Sequence, residues 1–193
     1  MKINFSILLL LLNLIGCSGL QPVKDTAKHH ILDPLVTDRK LKASTPVIAI
    51  KKPAIPSYLN RQQLVNRVEG NLIISQFDLW AEPLEESIAR VIASNLSRLT
   101  GSLSIQTVED FTTLNYTKLV EIRIDQFEQD TNGIMLFQGT WKLQSVAGKE
   151  SENHFFRFNV PITITKNSMT GHVQAMNQAI ELLSKKIAAN LEG

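Results

Sequence analysis

Cys17 is the only thiol in this chain of 193 residues, and it stands where an apolar run ends. A lone cysteine cannot close an internal disulfide, so its sulfur must find its chemistry outside the polypeptide. In an exported protein an unmodified thiol would be a liability, which points to covalent modification. The other residues able to do chemistry form no working set. His29, His30, His154 and His172 fall into no H-x-x-x-H or HExxH spacing, and no second cysteine exists to complete a zinc site. They read as solvated or structural histidines, and neither a metal nor another cofactor is expected. There is no G-x-S-x-G elbow and no Walker loop. Glu82, Glu85 and Glu86 gather where a helix starts. Carboxylates there balance the positive helix end more readily than they act as a general acid and base. The chain is read as non-catalytic.

The residues before Cys17 explain its position. Met1 and Lys2 precede Ile3 to Ile15, a stretch apolar except for Asn4, Ser6 and Asn13. A positive start followed by a short apolar run is a secretory signal pattern, since spanning a bilayer takes about 20 apolar residues. Leu14-Ile15-Gly16-Cys17 resembles the bacterial lipobox. That resemblance implies cleavage before Cys17, a diacylglyceryl thioether on its sulfur and acylation of the new amino terminus. Single acyl chains hold a protein with a partition constant of only about 10⁴ M⁻¹, and several chains make the attachment stable. Ser18 in the next position, in place of Asp, implies sorting to the outer membrane. Residues 1–16 are thus a signal peptide. Residues 17–45, polar and broken by Pro22 and Pro34, read as a lipidated tether with one short strand near His30 to Leu32. Residues 46–193 are left for the folded domain. The net charge is +2 with the basic residues scattered, so no stripe for nucleic acid exists.

Within the domain the patterns alternate between two periods. Val47 to Ile50 is a short β-run closed by Pro53 and Pro56, which suits an edge strand or an irregular exit. "QQLVNRV" and "NLIISQF" flank Glu69-Gly70-Asn71 and predict a hairpin. "EPLEESIARVIASNLSRLTG" predicts a helix. Pro83 opens it, Gly101 stops it, and Leu84, Ile88, Val91, Ile92, Leu96 and Leu99 form its apolar stripe. Three alternating strands follow. Val120, Ile122 and Ile124 share one face of the first, and Asn132-Gly133 turns into the second, which turns Met135, Phe137, Trp141 and Leu143 inward. The third carries Phe156, Phe158, Val160, Ile162 and Ile164. A final helix from about Ser168 to Leu191 presents Val173, Met176, Ile180, Leu183 and Ile187 on one face. The sum is an α+β domain in which two long helices cover an antiparallel or mixed sheet.

"YLNRQQLVNR" from Tyr58 to Arg67, followed by "FDLWAEPLEESIARVIASNL" from Phe77 to Leu96, resembles the PqiC family, the auxiliary lipoproteins of ABC-type transport and MCE systems. A tryptophan in a later strand, here Trp141, extends the match. The chain departs from the pattern at Gln62, where members often carry proline, and near His30, where an early-strand tyrosine is common. The resemblance implies a fold like the amino-terminal domain of TolB-type proteins. It also implies a lipoprotein of the outer membrane that faces the periplasm, docks the conduit of an MCE-domain protein carrying phospholipid, and self-associates into a homo-oligomer. Tyr58, Arg61, Gln63, Trp80 and Glu82 are then candidates for the docking face. A structural or assembly lipoprotein that binds outer-membrane proteins or peptidoglycan is the alternative reading.

Overall fold

The computed structural model describes residues 26–43, 46–108, 115–130, 132–146, 153–163 and 168–191. Cys17, the signal pattern and Ile164 lie outside them. Along the chain run β1 (Lys28–His30), β2 (Ile48–Ile50), β3 (Gln63–Val68), β4 (Asn71–Trp80), α1 (Leu84–Thr100), β5 (Ile105–Thr107), β6 (Lys118–Gln129), β7 (Ile134–Ser145), β8 (Asn153–Thr163) and α2 (Met169–Leu191). Five strands form one mixed sheet in the order β5-β2-β6-β7-β8, and three form a second in the order β1-β4-β3. The fold is α+β, with both helices packed on mixed sheets.

The meander β6-β7-β8 is antiparallel throughout and supplies one wall of the core. Val120, Ile122, Ile124, Met135, Phe137, Trp141, Leu143, Phe158 and Val160 are all buried on it. The simple alternation breaks once. A register shift between Ile124 and Gln126 puts an extra residue in β6, so Phe127 points inward. Its ring then lies 4.2 Å from that of Phe137, which in turn lies 4.8 Å from Phe158. The stripes of the two helices complete the same core, although Leu99 is only half-buried while Leu96 is fully enclosed. Gly101 closes α1 in the left-handed conformation at φ 75°.

Of the two readings of β2 the irregular exit holds and the edge does not, since β2 lies between β5 and β6, parallel to both. Three residues suffice for that position because Pro53 and Pro56 fall beyond it, where the chain leaves by a single bridge from Ala54 to Arg123. The folded body also begins well before Pro46. β1 sits at Lys28–His30, two residues earlier than the expected strand, and pairs in parallel with β4. Beyond it Leu32 is fully buried. The chain then runs as a strap along α1. Arg90 donates to the Leu32 carbonyl at 3.0 Å, Asn95 accepts from the Leu35 amide at 2.8 Å, and Arg98 reaches the Leu35 carbonyl. Arg39 closes the strap on the Leu99 carbonyl, and Lys42 bonds Gly101 at 2.9 Å. Composition marked this stretch as a tether because it is held largely through its own backbone groups, by side chains of α1, which its own side chains do not advertise.

Candidate docking groove

The two halves of the motif meet at the root of the β3–β4 hairpin. Glu69 and Gly70, at φ 50° and 80°, form the two-residue turn that folds β4 back on β3. Gln63 then falls opposite Leu79, and the Trp80 amide donates to the Gln62 carbonyl at 2.6 Å. The Ala81 amide donates to His30 at 2.8 Å, so three strands converge just before α1 begins. Asn60, Arg61, Gln62, Trp80, Glu82 and Leu84 line an open groove of about 300 Å³ there.

Three of the five sequence candidates therefore share one place. Trp80 lines the groove but is 4 % exposed, so most of its ring is core. Glu82 holds Arg90 at 2.5 Å, one side chain bridging the helix start to the strap. Partial burial works against ionising Glu82, but hydrogen bonds from Arg90 and Ser87 and the Arg90 charge outweigh it, so its carboxyl titrates below the usual range. Arg61 is exposed and fastens its Nε to the Tyr58 carbonyl at 2.9 Å. The groove thus offers an apolar floor, a cation at one rim and an ion pair at the other. Gln63 is half-buried in β3 and does not line it.

Tyr58 goes elsewhere. Its hydroxyl donates to Glu128 Oε2 at 2.6 Å. Glu128 is fully buried, and it also accepts from Arg67 Nε at 3.1 Å, Arg67 Nη2 at 2.9 Å, Gln126 at 3.0 Å and the Phe127 amide at 3.0 Å. Burial raises the Tyr58 hydroxyl pKa well above its ordinary value, and the bond to Glu128 and its charge add to this against a smaller opposing effect of Arg67. This clasp joins the small sheet to β6, and sequence reasoning missed both Arg67 and Glu128. The only signal for them was a glutamate following a phenylalanine at the end of an alternating strand. Removing one partner leaves a buried charge short of its ligands. The Arg67 side chain is one-third exposed at 33 %, so water makes up part of the loss. Arg67→Ala is expected to cost about 2 kcal/mol and Tyr58→Phe about 1 kcal/mol of unfolding free energy, read from urea midpoints. Unchanged midpoints in both would refute the clasp.

His29 and His154 are exposed. His30 Nε2 lies 2.8 Å from Asp78 Oδ1, and Asp78 Oδ2 accepts from Ser75 at 3.0 Å. His172, in the first turns of α2, is 2 % exposed. Among the described residues no group of three or more His, Cys, Asp or Glu side chains could hold a metal ion, and no helix is long and apolar enough to cross a membrane.

Comparison with known proteins adds three findings. The model of the family described as ABC-type transport auxiliary lipoprotein component matches residues 31–188. A crystal structure of an uncharacterized protein superposes with a TM-score of 0.69 at 18 % identity, covering 86 % of this chain and 99 % of that one. Protein XCC0632 from Xanthomonas campestris, of the DUF330 family, superposes with a TM-score of 0.63 at 13 % identity, covering 84 % and 93 %. At these identities the two structures support the fold. No curated protein matches the chain.

Proposed function

Because the chain belongs to the family of ABC-type transport auxiliary lipoprotein components, we propose that it is a non-catalytic outer-membrane lipoprotein subunit of an MCE-type lipid transporter. In this reading Cys17 carries the lipid, the domain faces the periplasm, and it docks the outer end of an MCE-domain conduit for phospholipid. The observation that carries the docking role is the groove at the hairpin root. Both halves of the motif that marks the family resemblance contribute to it, with Arg61 exposed at its rim. Arg61, Trp80 and Glu82 are the docking residues, while Tyr58 and Gln63 hold the groove's walls in place.

The test is affinity purification of the tagged full-length protein from mildly solubilised envelopes, with mass spectrometry of the proteins and lipids recovered. Recovery of an MCE-domain protein supports the reading. Recovery of only porins, assembly factors or peptidoglycan-linked proteins, from an extract in which the MCE protein is detectable, overturns it in favour of an assembly lipoprotein. Two variants sharpen the result. Cys17→Ala is expected to leave the domain folded while abolishing outer-membrane fractionation and envelope integrity, and normal function of that variant in cells would count against the lipid anchor. Arg61→Glu reverses an exposed charge whose bond in the structure is to the Tyr58 carbonyl. It is expected to keep the melting temperature and to cut recovery of the MCE partner about thirty-fold, the loss typical of one interface hot spot.

A further inference from the structure

The β3–β4 hairpin carries five exposed large apolar side chains, Val68, Leu72, Ile73 and Ile74 in its outer half and Phe77 nearer its root, at 50, 38, 50, 44 and 56 %. Successive strand residues point to opposite faces. Leu72 and Ile74 therefore stand on the ribbon face that also carries their partners Arg67 and buried Val65, and Ile73 stands on the other, each with more than a third of its surface exposed. A flat protein partner would cover one of these faces and leave its opposite in water. A fluid apolar medium covers both.

The direction in which the chain enters the fold says which medium lies there. β1 runs parallel to β4, with Lys28 opposite Asp78 and His30 opposite Trp80. Going backwards from Lys28, the chain therefore leaves toward Phe77 and the turn, on the side to which the hairpin projects. From Asp78 back to Asn71 the strand covers about 23 Å. From Cys17 to Lys28 the polypeptide reaches at most about 40 Å when fully extended. A lipid on Cys17 would hold the bilayer within that radius of Lys28, which the hairpin lies inside. The turn itself, Glu69-Gly70-Asn71, is polar. That limits entry to the headgroup layer and upper acyl chains.

We infer that the β3–β4 hairpin is a second membrane contact, seated obliquely in the lipid surface that anchors Cys17, with Ile73, Ile74 and Phe77 against the acyl chains. It rests on the proposed lipidation and adds an orientation to it.

The test installs the anchor chemically. The chain from Cys17 to Gly193, which contains every described residue, is coupled through its single thiol to maleimide-phosphatidylethanolamine in phosphatidylethanolamine–phosphatidylglycerol vesicles. Ile73→Trp reports on the hairpin, and Phe155→Trp, at a β8 position 76 % exposed, is the control. Native Trp80 and Trp141, 4 % and 3 % exposed, supply the background from the unsubstituted chain. With lipids brominated high on the acyl chain, Ile73→Trp is expected to lose about half of its added emission and Phe155→Trp about a tenth or less. Equal quenching at both positions, or none at Ile73→Trp, overturns the inference. Protection of Ile73→Trp from acrylamide without quenching by brominated lipid also overturns it, and assigns the hairpin to a second copy of the chain. Failure of the underlying lipidation is seen separately, as an unmodified Cys17 peptide in the mass spectrum of protein made in cells.

Discussion

Gly139→Ala is expected to destabilise the domain by about 3 kcal/mol and lower its melting temperature by about 10 °C, although it adds a single methyl group to a strand. Gly139 sits in β7 opposite Ile124 on one side and Phe158 on the other. A Cβ there would stand 2.0 Å from the Arg123 carbonyl oxygen, 3.0 Å from its carbon and 2.8 Å from Phe158 Cζ. The backbone of Arg123 cannot retreat. It is held by pairing with Thr140 on one side and by the bridge to Ala54 on the other. Phe158 is 2 % exposed and already packed on Phe137, so its ring has nowhere to move. Relief must come from prying β6 off β7 beside the bulge. Gly70→Ala is the informative contrast, since nothing lies within 4 Å of a Cβ there and only the positive φ of 80° opposes the change. That variant is expected to cost about 1 kcal/mol. Calorimetric scans of the two variants beside the parent decide the matter. A Gly139→Ala melting point within a degree or two of the parent's would show that the sheet has slack that its pairing does not reveal.

Gly139 also marks the border of what the residues alone could reveal. The meander was legible because Val120, Ile122 and Ile124, and then Met135 and Phe137, repeat at the strand period on either side of Asn132-Gly133. The helices were legible because their stripes and their proline and glycine stops agree. The bulge was not, since an extra residue shows only when two strands are laid side by side, and alternation read along β6 alone favours Gln126 for the core. Glu128 was hidden for the same reason. Alternation read along β6 puts Glu128 on the core face with Val120; the bulge turns it to the opposite face, where Tyr58, Arg67 and Gln126 converge on it and bury it. β2 was left between an edge and an irregular exit because its prolines were visible and its two parallel neighbours, distant in sequence, were not. The docking candidates were half legible. Arg61, Trp80 and Glu82 do share a groove, but Tyr58, next to Arg61 in the motif, serves the interior. Sequence proximity within a motif does not separate the residues that hold a site from those that face it.

Lowering the pH from about 6.5 to about 4 is expected to remove about 3 kcal/mol of stability through His172 alone. Burial is the main cause that holds the imidazole pKa down, to about 4 from 6.5, with a smaller push from the charge of His30 on β1 and a partial offset from Glu128 on β6. In the unfolded chain the same ring takes a proton near pH 6.5. Between these two values the unfolded state binds the proton and the folded state does not, so stability rises with pH and is lost as pH falls through the window. The buried Nδ1 has no hydrogen-bond partner among the described residues, so no neighbour is in place to receive the charge. The carboxylates act lower down. Asp78, Glu82, Glu121 and Asp130 are held below ordinary values of 3.8 to 4.5, so their contributions fade only as the pH falls through and below that range. From pH 6.5 to 5 the slope therefore belongs to His172, at about 1.4 kcal/mol per pH unit as the limiting value. His172→Leu keeps an apolar side chain in the space and removes the titrating group. It is expected to flatten the dependence of urea-unfolding free energy on pH across that range while leaving the slope below pH 4 in place. A His172→Leu curve parallel to the parent's between pH 5 and 6.5 would refute the assignment of the acid sensitivity to His172.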